Sequence, residues 1–209
     1  ARIGEAEIDL DGENVRKRET NLGHHVADIM LRVSKADAAL INGGTIRTNI
    51  SRGEVRIKDI YSVLPFDNYI VAIKLTGRQI AEALEHGVSG IVEGEGRFPQ
   101  VAGLTFTYSP SAPKGSRIRE ILIAGKPLDP GREYTVATND FLAVGGDGYR
   151  SFAEAVKSSK TFSVVGGTLQ GEKVVYSDSG RWLRDVVVGY IREKGTIAPG
   201  REGRITEGP

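Results

Sequence analysis

A seven-residue segment with one lysine and otherwise apolar or aromatic residues, which leads directly into a helix start signal, constrains the fold of this chain most strongly. Tyr69–Leu75 is rich in Ile, Val and Ala, which predicts a buried strand. Thr76 and Gln79 follow with the spacing of a capping box, in which two side chains satisfy free backbone N–H groups at a helix start. The residues that come next place four small or apolar positions on one helical face: Ile80, Ala83, Leu84 and Gly87. We therefore expect a fold that combines strands and helices.

Two further amphipathic helices are predicted, one near each end of the chain. The first begins at Thr20 or Asn21, and its apolar residues recur at helical spacing: Val26, Ile29, Met30 and Val33. The last helix begins near Ser179 and aligns a second apolar face: Leu183, Val186, Val187, Tyr190 and Ile191. Residues 1–15 are acidic and polar, which predicts a lead-in to the domain.

Strands are predicted in two places besides Tyr69–Leu75. Ala38–Ile41 is a short buried strand, and three strands follow one another later in the chain: Leu104–Tyr108, Ile118–Ile123 and Tyr134–Thr138. Because no helical pattern separates these three, we expect a mixed α/β domain of the α+β class and not a regular βαβ repeat. No internal repeat is present, so one compact domain accounts for residues 16–209.

Composition excludes several function classes. The 28 Lys and Arg residues nearly balance the 27 Asp and Glu residues, which argues against binding a nucleic acid polymer over a broad surface. No apolar run reaches the roughly 20 residues of a membrane span, and no signal segment precedes the domain. The chain has no cysteine and begins at Ala1, which suggests a trimmed product. With three histidines and no His-Glu-x-x-His or zinc-type spacing, we expect no metal site in this chain.

The segment Asn139–Tyr149 is the most informative candidate for a ligand site. It follows the strand Tyr134–Thr138 and contains three glycines in four residues, which allow a close approach of the backbone to a ligand. Phe141 supplies a face for stacking, and Asp147 supplies an acid that accepts hydrogen bonds from hydroxyl groups. Such a pair suits a nucleoside. The alternative is a tight strand-to-helix turn in which Asp147 caps the next helix.

Two shorter loops carry similar alternatives. Asn42–Arg47 follows a predicted strand, and its arginine either binds an anion or closes a turn. Leu64–Asn68 contains Pro65, which disfavours an interior strand. Its Phe66 is either a plug in the core or a stacking surface, with Asn68 beside it to read the polar edge of a base.

Two charged or glycine-rich segments complete the candidates. Arg16–Asn21 places basic residues just before a helix N-terminus, where both the arginines and the helix dipole favour an anion. A solvated charge cluster is the alternative. Gly94–Gln100 is a second glycine-rich loop, in which Gly96 either admits a flat ring or lies in a surface loop without a function.

The order of these segments resembles the C-terminal domain of the 5'-nucleotidase family, which includes bacterial UDP-sugar hydrolases and animal ecto-5'-nucleotidase. Six motifs carry the resemblance across nearly the whole chain: Glu19–Gly23, Asn42–Arg47, Leu64–Asn68, Leu75–Gly77, Phe98–Leu104, and Asn139–Ala143 with Gly145–Tyr149. The resemblance implies a four-layer α/β/β/α fold that binds the nucleoside part of a nucleotide. It also implies an N-terminal metallophosphoesterase domain, with two divalent metal ions, to which residues 1–15 lead.

The resemblance further implies what the isolated chain does and where it acts. Without the metal-bearing domain, the chain binds substrate but does not hydrolyse it. Relatives in the family are periplasmic, secreted or bound to the cell surface, so we expect the same location here. A stand-alone nucleoside-binding or interaction module is the alternative.

Residue by residue, the resemblance assigns eight positions. Phe66 and Phe141 match the two phenylalanines that sandwich the base, and Asp147 matches the aspartate that binds the ribose hydroxyls. The other five match positions that contact ribose, phosphate or the base: Arg16, Arg47, Asn42, Asn68 and Gly96.

Three positions depart from the family pattern. Thr45 stands where a third glycine is usual, Gly12 where some members have a second arginine, and His24 where asparagine is common. The first change narrows the conformational freedom of the loop, and the second removes one expected phosphate contact.

Overall fold

A computed structural model describes residues 1–209. It contains fourteen strands: β1 Arg2–Ala6, β2 Ala38–Asn42, β3 Gly53–Arg56, β4 Ile70–Thr76, β5 Pro99–Ala102, β6 Leu104–Tyr108, β7 Ile118–Ile123, β8 Lys126–Pro127, β9 Glu133–Asn139, β10 Ser163–Val165, β11 Thr168–Gln170, β12 Val174–Ser177, β13 Thr196–Ile197 and β14 Ile205–Glu207. It contains six α-helices: α1 Asn21–Ser34, α2 Ile57–Val63, α3 Gly77–Val88, α4 Asp140–Ala143, α5 Arg150–Lys157 and α6 Leu183–Lys194. Short 3-10 turns cover Gly43–Thr45 and Gly146–Gly148.

A five-stranded sheet with the order β12-β4-β9-β2-β5 forms the centre of the domain. Only β2 and β9 pair in parallel, and the other neighbours are antiparallel. The longest pairing joins β4 to β9, from Ile70 opposite Asn139 to Thr76 opposite Glu133. The start of β4 therefore lies beside the end of β9, although the two are far apart in sequence.

Both faces of this sheet are buried, so the fold has two hydrophobic cores. The first core lies between the sheet and helices α1, α2 and α6. The second core lies on the opposite face and is enclosed by α3, α5 and a four-stranded sheet with the order β14-β6-β7-β8. Alternation along β4 supplies both cores, because Ile70 faces the first and Val71 and Ile73 face the second. The predicted α+β class is confirmed.

The predicted helix starts are confirmed by their caps. Thr20 Oγ1 accepts a hydrogen bond from Gly23 N at 2.9 Å at the start of α1. Thr76 and Gln79 form the expected capping box at α3, with bonds of 3.2 and 2.9 Å. The last helix begins at Leu183, four residues after Ser179, because residues 178–182 form a turn in which Arg181 binds Asp178.

Residues 1–15 are an integral part of the first core and not only a lead-in. β1 pairs with β3 and β13, and four side chains of the segment are buried: Ile3, Ala6, Leu10 and Val15. Their burial offsets the polar composition from which a lead-in was predicted, since four apolar side chains are enough to anchor a short segment.

The tail is tied back to α1 through polar contacts. The buried carboxylate of Glu19 accepts hydrogen bonds from the backbone N–H groups of Glu202 and Arg204 and lies 2.8 Å from His24 Nδ1. Arg204 in turn makes a two-pronged ion pair with Asp28 at 2.7 and 2.9 Å. None of the six helices has the length and apolar character needed to cross a membrane.

Candidate functional site

A cavity of about 450 Å³ opens where the central sheet meets its loops. All eight residues assigned from the sequence line it: Arg16, Asn42, Arg47, Phe66, Asn68, Gly96, Phe141 and Asp147. Their contacts with a ligand remain a prediction. Three further lining residues were not assigned from the sequence: Gly44, Thr45 and Glu95. The structure thus brings residues from five separate loops to one place.

The pairing of β4 with β9 explains how Phe66 and Phe141 reach the same cavity. Phe66 lies in the loop before β4, and Phe141 lies in α4, directly after β9. Because Ile70 pairs with Asn139, the start of β4 and the end of β9 are neighbours, and the residues next to them lie on the same side of the sheet's strand ends. Both rings are exposed, at 49% and 44%, so Phe66 is not a plug in the core. Two exposed aromatic side chains that line the same cavity are available to a planar ligand.

Asn139 and Gly146 fix the position of Phe141. Asn139 Oδ1 accepts a hydrogen bond from Leu142 N at 2.8 Å and so caps the short helix α4. Gly146 lies against the phenylalanine, since a Cβ atom there would be 2.5 Å from the Phe141 carbonyl oxygen and 2.6 Å from its ring. Only glycine at position 146 permits this arrangement.

Asp147 is held in the cavity by contacts to both its side chain and its backbone. Its φ of 53° lies in the left-handed region, between Gly145 and Gly148 at 101° and 76°. Asn42 Nδ2 donates to Asp147 Oδ2 at 2.7 Å, and His86 Nε2 donates to the Asp147 carbonyl oxygen at 2.7 Å. Asp147 does not cap α5, so the interpretation as a helix cap is wrong. Its second carboxylate oxygen has no hydrogen-bond partner in the protein and remains available to a ligand.

The buried Asn42 side chain organises this acid. Its carbonyl oxygen accepts hydrogen bonds from Thr45 Oγ1 at 2.6 Å and from Asn139 Nδ2 at 3.2 Å, while its NH₂ group binds Asp147. Thr45, at the position where the resemblance predicts glycine, therefore helps to orient the Asn42 side chain. The Thr45 hydroxyl group thus has a buried hydrogen-bond partner, and a ligand can still approach the backbone of this loop closely.

Two loops meet at glycine backbones on one wall of the cavity. Gly44 N donates to the Gly96 carbonyl oxygen at 2.8 Å, and a Cβ atom on Gly44 would lie 3.0 Å from Gly96 Cα. Because neither glycine has a side chain, a ligand can approach the main chain of this wall closely.

The charges around the cavity have both signs. The Arg47 guanidinium lies 5.9 Å from the centre of the Phe66 ring, and Arg16 Nη1 donates to the Gly94 carbonyl oxygen at 3.4 Å. Asp147 and Glu95 supply the negative charges. Two guanidinium groups and two carboxylates therefore line one cavity, which can both accept hydrogen bonds from a neutral polar group and attract an anionic group.

Two other sequence expectations have structural outcomes. A side chain at Gly12 would collide with the backbone of Thr48, so this backbone does not accommodate the second arginine that the resemblance suggested for this position. Asn68 lines the cavity and donates from Nδ2 to Asp140 Oδ1 at 3.0 Å, while its side-chain oxygen Oδ1 has no hydrogen-bond partner in the protein. Among residues 1–209, no cluster of three or more His, Cys, Asp or Glu side chains is arranged to hold a metal ion.

Comparison with known proteins gives a consistent set of matches. A family model described as "5'-nucleotidase, C-terminal domain" matches residues 2–154. The chain is 36% identical over 218 residues to the trifunctional nucleotide phosphoesterase protein YfkN of Bacillus subtilis, covering 99% of this chain and 14% of that protein. It is 33% identical over 150 residues to protein UshA of Escherichia coli, covering 71% of this chain and 26% of that protein.

A solved structure agrees with these sequence matches. The 5'-nucleotidase precursor of Thermus thermophilus superposes with a TM-score of 0.83 at 36% identity, covering 99% of this chain and 39% of that chain. In each case the present chain spans well under half the length of the protein that it matches.

Proposed function

The chain belongs to the 5'-nucleotidase C-terminal domain family, and from this premise we propose that it binds the nucleoside part of a nucleotide for a phosphoesterase. One observation carries the proposal: two exposed phenylalanine rings and an unpaired carboxylate oxygen of Asp147 line the same cavity. Few other ligands combine a flat aromatic group with a neighbouring diol.

The proposed contacts divide the ligand into three parts. The base stacks between Phe66 and Phe141, an interaction worth roughly 1–3 kcal/mol per base that tolerates any base. The ribose hydroxyls donate to Asp147, which Asn42 holds in place. Arg16 and Arg47 attract the phosphate end of the ligand.

Asn68 and Gly96 are proposed to contact the base. The unpaired side-chain oxygen Oδ1 of Asn68 accepts a hydrogen bond from the polar edge of the ring, and Gly96 offers main chain without a side chain in the way.

Hydrolysis itself is proposed to occur in another domain of the same polypeptide. By family resemblance that domain is an N-terminal metallophosphoesterase domain with two divalent metal ions, and residues 1–15 connect to it. Binding of the remote nucleoside then positions the phosphate ester at the metals. Rotation of one domain relative to the other carries the bound nucleotide there. The same resemblance places the protein in the periplasm, outside the cell or on its surface.

Titration calorimetry of the 209-residue chain with adenosine and AMP tests the proposed function. We expect saturable binding with one ligand per chain, and no release of phosphate from AMP when Mg²⁺ or Mn²⁺ is added. Absence of binding would contradict the nucleoside-binding role. Metal-dependent phosphate release would contradict the division of labour between domains.

A further inference from the structure

We propose that Arg184 is a positioning residue that holds the Phe66 ring in place for stacking against the base. The inference rests on the proposed function and adds to the site a residue that does not line the cavity itself. Contacts between α6 and the loop that carries Phe66 support this role.

Arg184 forms two direct hydrogen bonds with this loop. Its Nη1 donates to the Phe66 carbonyl oxygen at 2.8 Å, and its Nη2 donates to Asp67 Oδ1 at 2.7 Å. One planar guanidinium thus spans two successive residues of the loop. A lysine matches this arrangement less well, because its three N–H donors lie on one nitrogen and lack the fixed planar fork of the guanidinium.

The guanidinium itself packs against two aromatic rings and is mostly shielded from solvent. It lies 5.0 Å from the ring centre of Tyr61 and 5.8 Å from that of Trp182, and only 14% of the side chain is exposed. The next residue back, Leu183, adds a second tie, since its N–H donates to the Asn68 carbonyl oxygen at 2.7 Å. The loop is therefore bound to the start of α6 at three consecutive residues.

Phe66 needs such external support because its own packing is weak. Phe66 is 49% exposed, and the loop between α2 and β4 has no regular secondary structure. An exposed side chain on an irregular loop loses conformational freedom when a ligand orders it, which reduces affinity. Fixing the loop in advance lowers this loss, so Arg184 acts on binding through Phe66.

A double-mutant cycle tests this role by calorimetry with adenosine. We expect Arg184→Ala to weaken binding about tenfold in the native background. In a Phe66→Ala background, the same change should weaken binding less than about twofold, because the ring that Arg184 positions is already absent. Arg184→Lys should fall between the native protein and Arg184→Ala.

Arg181→Ala is the matched control. Arg181 lies three residues away in sequence and makes an ion pair with Asp178, but it does not contact the Phe66 loop. We expect native affinity for this variant, and near-native melting temperatures for both arginine variants. If Arg184→Ala does not fold, Arg184→Lys replaces it in the cycle.

Three results would overturn the assignment. Equal losses from Arg184→Ala in the native and the Phe66→Ala backgrounds would show that the residue acts independently of the ring. Unchanged affinity of a folded Arg184→Ala variant would show that the loop needs no support from α6. If the native chain did not bind adenosine, both the proposed function and this role of Arg184 would be wrong.

Discussion

At the scale of single residues, Phe141 gives the sharpest test of stacking. Its ring is exposed in the cavity and kept there by Asn139 and Gly146. Since stacking on one aromatic is worth about 1–3 kcal/mol, Phe141→Ala should weaken adenosine binding roughly 5- to 150-fold. Lys157→Ala, an exposed change at the end of α5, should leave the affinity unchanged. Equal affinities for the two variants would refute the stacking role.

The order of motifs identifies the cavity residues, but not what supports them. Neither Glu95 nor Arg184 stands out in the sequence, and Arg184 contacts Phe66 across 118 positions. Such a contact depends on where α6 docks, which no local pattern specifies. The helix-cap interpretation of Asp147 fails for a related reason: its flanking glycines turn the backbone so that the carboxylate faces Asn42 and not the start of α5.

At the scale of elements, substitution by alanine at two glycines in helices should have opposite effects on the free energy of unfolding. Gly189 lies in α6 with open space around its Cα, so Gly189→Ala should stabilise the fold by about 0.5–1 kcal/mol through reduced freedom of the unfolded chain. Gly77 begins α3 against the backbone of Asp129 and Pro130. Gly77→Ala should destabilise the fold by about 1–3 kcal/mol, because backbone cannot move aside cheaply.

Urea unfolding of the two variants checks this pair. If Gly189→Ala lowered the free energy of unfolding, the solvent-exposed placement of that face of α6 would be incorrect. If Gly77→Ala had no effect, the close packing of α3 on the turn at Asp129 would be incorrect.

Elements with a clear apolar pattern are predictable from the sequence, whereas short elements without such a pattern are not. β4, β9, α1 and α3 have enough residues to display alternation or a helical face, and their caps are local. β1, β3 and β10–β12 have three to five residues each and exist because a partner strand pairs with them. Too few residues carry a period there, so the structure is required to find them.

At the scale of the whole molecule, the buried His25 makes stability depend on pH. Burial lowers the pKa of His25 from 6.5 to about 4, partly opposed by the nearby charge of Asp28. The fold therefore keeps the ring neutral, while the unfolded chain takes up a proton below about pH 6.5. This contribution to stability is complete above that pH and is lost progressively as pH falls toward 4.

Urea unfolding at two pH values measures this effect. We expect the free energy of unfolding to fall by about 2 kcal/mol between pH 7 and pH 5, and the fall to be much smaller in His25→Gln. Glu19 adds a loss at lower pH: burial raises the pKa of its carboxyl, but hydrogen bonds from His24, Glu202 and Arg204 outweigh burial and lower it below 4.5. An equal fall in both proteins between pH 7 and pH 5 would exclude His25 as the cause.

The global topology explains why one cavity can draw on so many segments. β9 lies between β4 and β2 in the central sheet, so loops at the adjacent ends of these three strands lie close together. The crossovers that produce this order connect residues far apart in sequence. Periodicity predicts the strands but carries no information on which strand lies beside which.

A crystal structure of the chain with adenosine tests the central claim most directly. The account predicts the base between the rings of Phe66 and Phe141, with the ribose hydroxyls within hydrogen-bond distance of Asp147. Adenosine bound outside this cavity, or inside it with the base away from both rings, would contradict the account.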